Sequence, residues 1–166
     1  MAEPLCIEIT PEDLMVAAVR GTCRQTRAMM AGRVGHDHGM QSSRKRAYSQ
    51  SWIDSIIGDI GEIALERASG VPTASRYEDM SASDVGNWEV RTTDNVNGNL
   101  LIHQTSPDDK AYVLVVIDFS QGSAVAKIYG WITAAEGRQV GSERDGDPPY
   151  YLVGRNDLHA IERLQS

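Results

Sequence analysis

Asp84-Val85-Gly86-Asn87-Trp88-Glu89-Val90-Arg91 is the stretch whose reading decides the fold. Gly86-Asn87 favours a two-residue hairpin turn, because both residue types tolerate positive φ. With those two at the turn, Val85 pairs with Trp88 and Asp84 lies across from Glu89. Directly opposed Cβ atoms sit about 4.5–5.5 Å apart, and the two-residue pleat returns Arg91 to the face of Glu89. One face then carries two carboxylates and a cation, while Val85, Trp88 and Val90 point the other way. Two like charges that close need something positive between them, and a divalent metal ion is one answer. The plainer reading, which the stretch alone leaves equally open, is a solvated hairpin whose acids are bridged by Arg91.

Upstream, residues 48–69 carry Ile53, Ile56, Ile57, Ile60, Ala64 and Leu65 at helical spacing. Gly70 stands where a left-handed residue ends a helix, and Pro72 enforces the stop. Asp59, Glu62 and Glu66 share one face of this helix. Gly58 and Gly61 inside it each cost roughly 1 kcal/mol against alanine. Their presence predicts the close approach of another backbone, with Glu62 held beside it; the plainer reading of Glu62 is an exposed helix acid.

Before this helix, Leu5–Ile9 reads as an edge strand, and Thr10-Pro11-Glu12-Asp13 opens a helix that ends by Gly32–Gly35. Arg20, Arg24 and Arg27 lie near one of its faces, and Arg44, Lys45 and Arg46 follow in a loop. Residues 20–46 hold seven basic side chains against Asp37 alone, a local balance of +6 within a chain of net charge −7. The overall charge argues against a nonspecific coat on nucleic acid. The local excess suits either a polyanion-contacting arm or a basic face paired with acidic neighbours. His36-Asp37-His38 has metal-ligand chemistry but no further ligands nearby in sequence.

Downstream, Asn97-Gly98-Asn99 is a turn and Leu100–Gln104 a strand expected to neighbour Glu89, with His103 or Gln104 able to point towards it and a surface or packing role the plainer reading of His103. Tyr112–Ile117 is apolar throughout, which suits a central strand covered on both faces. Ala124–Ile132 is the next strand, residues 133–149 a surface loop and Tyr150–Val153 a short strand. Asn156 caps a last helix through Leu158, Ile161 and Leu164. The 166 residues suit one domain. The fold class is α+β (mixed α/β): a central mixed sheet of four to five strands flanked by helices. Residues 1–47 form an N-terminal helix and basic loop packed on a core of residues 48–166.

No apolar run reaches the roughly 18 residues that span a bilayer, and the N-terminus lacks a signal-peptide pattern. Cys6 and Cys23 have no CxxC spacing and read as incidental thiols of a reducing, cytoplasmic compartment. There is no GxSxG, no GxxxxGKS/T and no GxGxxG after a strand. What remains is carboxylate chemistry.

Here the residues carry a resemblance. A Gly-Glu helix (Gly61-Glu62), an Asp at a strand (Asp84) and Glu-Val-Arg on the next strand (Glu89-Val90-Arg91) resemble the motif of PD-(D/E)XK nucleases. Gly58-Asp59-Ile60-Gly61-Glu62, Leu100-Leu101-Ile102-His103, Tyr112–Val115 and Tyr129-Gly130-Trp131-Ile132 are similar to those of uncharacterised phage and bacterial proteins with this core. The resemblance covers about half the chain, residues 50–132, and implies a restriction-endonuclease-like core. It implies Mg²⁺ or Mn²⁺ held by Asp84, Glu89 and the Val90 carbonyl, with Glu62 completing the shell. It implies a catalytic set of Glu62, Asp84, Glu89 and Arg91, and hydrolysis of phosphodiester bonds in nucleic acid, DNA before RNA. Arg20, Arg24, Arg27, Arg44, Lys45 and Arg46 would contact phosphates. A bacterial or phage-infected host cell is the expected setting, with no membrane partner and with a homodimer left open. The family's usual lysine is Arg91 here. Arginine stays protonated and so can stabilise charge but not act as a base; Lys110 or Lys127 could bring an amine from another strand. Two other functions stay open: a nuclease-fold nucleic-acid-binding protein with weak or no activity, and a small phage or host interaction protein whose acidity suits a basic partner.

Overall fold

The computed structural model describes residues 3–31, 48–72, 84–120, 122–146 and 148–161. In chain order the elements are β1 (Leu5–Ile9), α1 (Pro11–Met30), α2 (Tyr48–Ser69), β2 (Trp88–Thr93), β3 (Leu100–His103), β4 (Ala111–Asp118), β5 (Ala124–Thr133), α3 (Ala134–Val140), β6 (Ser142–Arg144) and β7 (Tyr150–Val153). The architecture is α+β, as expected.

Local chemistry explains most boundaries. Thr10 caps α1 by accepting the Asp13 N–H at 3.2 Å, while the Asp13 carboxylate accepts the Thr10 N–H at 2.8 Å. This reciprocal box satisfies two donors that a helix start leaves unpaired. α2 ends at Ser69, and Gly70 follows at φ +71°, the left-handed stop predicted for it. Gly86 at φ +55° forms the predicted turn, and Val85 and Trp88 exchange backbone hydrogen bonds of 2.9 and 3.2 Å across it.

The strands form two sheets, not one. The larger runs β1-β5-β4-β2, with β2 parallel to β4 at one edge and β1 antiparallel to β5 at the other. The smaller runs β3-β7-β6 and is antiparallel. β3 therefore pairs with β7 and does not neighbour the strand of Glu89, contrary to the sequence reading. Residues 133–149 are not simply a loop either. Thr133 and Glu136 make a second capping box that starts α3, and β6 follows. Where the last helix is anticipated, the described residues hold a 3-10 turn at Arg155–Asp157, after which His159 pairs with Trp131. Leu164 lies outside the described residues.

β4 is buried on both faces, as its composition predicts, because a core lies on each side of the larger sheet. Val113, Val115 and Ile117 face α2 and meet Ile60, Ile63, Ala64, Leu65 and Val90. Tyr112, Leu114 and Val116 face the smaller sheet and α3, meeting Leu100, Ile102, Ile132, Ala134 and Val153. α1 packs on α2 where Gly21 crosses Ile56. A Cβ on Gly21 would lie 2.8 Å from the Ile56 backbone nitrogen, so only glycine permits this crossing. Among the described residues, no helix is long and apolar enough to cross a membrane.

Candidate metal and nucleic-acid site

Three acids predicted or adjacent to prediction are almost fully buried: Asp59 (1% exposed), Glu62 (3%) and Asp84 (4%). Burial of an ionised carboxylate is unfavourable unless it is paired. For Asp59 and Glu62 a counter-charge comes from α1. One guanidinium nitrogen of Arg24 donates to Asp59 Oδ1 and Glu62 Oε1, each at 2.9 Å. Burial pulls the Arg24 pKa down, but the charges of Glu62, Asp59 and Asp84 outweigh it and leave it raised. Arg24 and Arg20 are among the residues expected to contact phosphates; the Arg24 guanidinium is bonded to these acids, and Arg20 lies 3.7 Å from Glu66 on the same helix pair. For both residues the pairing of a basic face with acidic neighbours is what the structure contains.

The close approach expected at Gly61 is made by a side chain, not by another backbone. A Cβ there would overlap the Thr92 side chain on β2, so α2 and β2 touch next to Glu62. At Gly58, by contrast, a Cβ would stand 3.7 Å from the Arg24 guanidinium, an ordinary contact.

Asp84 closes the turn differently from the simple hairpin expectation. Its Oδ2 accepts the Val90 N–H at 2.7 Å. That amide lies on the outer edge of β2, the side away from β4, and the Val90 carbonyl leaves the strand on the same side. Trp88, Val90 and Thr92 face α2. Alternation therefore turns Glu89 and Arg91 to the opposite face, beside their β4 neighbours Tyr112 and Leu114. Glu89 Oε1 is 3.2 Å from Lys110 Nζ. The Arg91 guanidinium stands over the Tyr112 ring, 5.2 Å from its centroid, and among the described residues it bridges neither Asp84 nor Glu89.

The candidate residues thus come to β2 from both of its faces. Glu62 (with Asp59) approaches on the α2 side, Asp84 caps the edge at Val90, and Glu89 with Lys110 lies on the far side. Hard oxygen donors of this kind suit Mg²⁺ or Mn²⁺. As posed, however, cationic side chains hold the acids, and no three of them converge on one ion position among the described residues. Lys127, the other candidate amine, is committed elsewhere: it lies 2.8 Å from Asp118 and holds that carboxyl well below the usual range. Arg44, Lys45, Arg46 and His36-Asp37-His38 fall outside the described residues.

Sequence reading missed two members of this site. Asp59 shares the Arg24 guanidinium with Glu62, and its signal was the three-residue spacing on one helix face. Lys110 was named only as one of two amines; its place beside Glu89 follows from the parallel β2–β4 register, which no local pattern encodes. Comparison with models of protein families, with curated proteins and with solved structures returned no match to this chain.

Proposed function

We propose that this protein is a metal-dependent nuclease that hydrolyses phosphodiester bonds, in DNA before RNA. The single observation that carries the reading is the assembly at the free edge of β2. Asp84 accepts the Val90 N–H, Glu89 precedes Val90 on this edge strand, and Gly61, the neighbour of Glu62, packs against Thr92 of the same strand. Glu62, Asp84, Glu89 and the Val90 carbonyl would hold Mg²⁺ or Mn²⁺. When bound, such an ion supplies an activated water and neutralises charge on the phosphoryl oxygens. The chain's own groups do the rest. Asp84 is fixed in place by the Val90 amide, and Lys110 offers an ammonium beside Glu89. Arg91, always charged, presents a stationary cation for a phosphate oxygen from its seat on Tyr112.

Plasmid cleavage with Mg²⁺ and Mn²⁺ tests this, comparing the native chain with Glu89→Ala. Loss of one carboxylate ligand is expected to lower the cleavage rate by two orders of magnitude or more, on the order of the loss for a missing transition-state stabiliser. Equal cleavage by both proteins would trace the activity to another site or another protein. A second reading has its own support. Arg24 and Lys110 already neutralise the acids, and Arg91 cannot act as a base, which suits a nuclease fold retained for binding nucleic acid. That reading expects salt-sensitive DNA binding without turnover.

A further inference from the structure

We propose that Arg24 is a resident cation of the acidic site, competing with a divalent metal ion for Glu62 and thereby setting how tightly the site binds metal. This rests on the metal-dependent reading above. Arg24 sits on α1, outside every segment that resembles the nuclease motif, yet its position is specifically accommodated. Gly21, one turn before it, lets α1 cross directly over the Ile56 backbone. One guanidinium nitrogen then reaches both Asp59 and Glu62 at 2.9 Å. An exposed phosphate-binding arginine needs none of these provisions.

The consequence follows from charge. A metal ion approaching Glu62 meets a fixed positive charge in a partly buried setting, where like charges repel more strongly than in water. Glu62 Oε1 must also loosen its hold on Arg24 to become a full ligand. Metal binding and the α1–α2 contact are therefore linked: each weakens the other by the same factor. Removing the guanidinium relieves the competition and takes one positive charge away from two buried acids, a destabilising change that a bound cation can offset.

The test uses the full chain and Mn²⁺, read by calorimetric titration and by thermal unfolding with and without the ion. Arg24→Met keeps the apolar stem and removes the charge. It is expected to bind Mn²⁺ about tenfold or more tightly than the native chain, and to unfold at a lower temperature that Mn²⁺ restores. Lys127→Met, which deletes a charge paired with Asp118, is the control and should leave affinity unchanged. If Arg24→Met is folded only when Mn²⁺ is present, the proposal is supported; if it stays unfolded in both conditions, the proposal is overturned. Equal or weaker affinity in a folded Arg24→Met, or equal tightening in Lys127→Met, also overturns it. Should the native chain bind Mn²⁺ through Glu89 while Arg24→Met binds no tighter, the Arg24 role fails and the metal site stands. Should neither protein bind Mn²⁺, both ideas fail together.

Discussion

At Gly61 the absence of one carbon decides whether α2 can lie against β2. A methyl group there would overlap Thr92 Oγ1 and come within 2.9 Å of Thr92 Cβ and Cγ2. Alanine normally favours a helix over glycine by about 1 kcal/mol, but overpacking of this kind costs typically 1–3 kcal/mol. The steric effect wins. Gly61→Ala is expected to lower the melting temperature by several degrees, since each kcal/mol shifts a domain of this size by about 2–4 °C. Thr92→Ala in the same chain should recover part of that loss, because it removes the nearest oxygen and methyl. Thermal unfolding of the three variants checks this; a Gly61→Ala chain more stable than the native one would contradict the packing described.

Among the elements, β5 shows how one backbone irregularity arranges both cores. The β4–β5 register slips between Leu114 and Val115, so that Leu114 faces Gly130 and Val115 faces Ile128, leaving Tyr129 extra. A bulge of one residue exchanges the faces of everything beyond it. Ala126 and Ile128 point to the α2 core before it; afterwards Trp131 takes that side and Ile132 enters the second core. Gly130, at φ +143°, permits both the irregular backbone and the close passage of the His159 carbonyl. Trp131 then meets Trp88 edge to face at 5.2 Å, which ties β5 to the turn bearing Asp84 and Glu89.

α3 makes a prediction about pH. The Thr133 hydroxyl, then the Thr133 backbone N–H, and then His159 hold the Glu136 carboxyl below the usual range. A carboxyl depressed in the folded state contributes stability that is present above its unfolded pKa, about 4.3, and is lost as pH falls through the folded value. Glu136→Gln keeps the capping geometry without the charge. Its urea-unfolding midpoint should therefore fall less steeply than the native one as pH drops below about 4.3; parallel curves would remove the charge contribution. Thr133→Ala, by contrast, should cost about 1 kcal/mol at neutral pH through loss of the cap.

Across the whole molecule, legibility followed the range of the interaction. Helices with caps and apolar stripes (α1, α2), the Gly86-Asn87 turn and the doubly buried β4 were all readable, because each is encoded within a few residues. The second sheet was not. Whether Leu100–His103 joins β4 or β7 depends on contacts some 50 residues apart in the chain, and α3 was hidden in a polar run whose only sign was Thr133 with Glu136 three residues on. The candidate site divides in the same way. Glu62, Asp84 and Glu89 were found as motif residues, whereas Arg24 and Lys110, which partner them, were placed only by packing between elements.

The central claim is that the free edge of β2 is a metal centre. Crystals soaked in Mn²⁺, examined by anomalous scattering, test it most directly. A peak is expected about 2.0–2.1 Å, the range for Mg²⁺-like oxygen coordination, from Asp84 and Glu89 carboxylate oxygens and the Val90 carbonyl, with Arg24 displaced from Glu62. A saturating soak that leaves Arg24 on Glu62 and Lys110 on Glu89, with no peak at this edge, would contradict it.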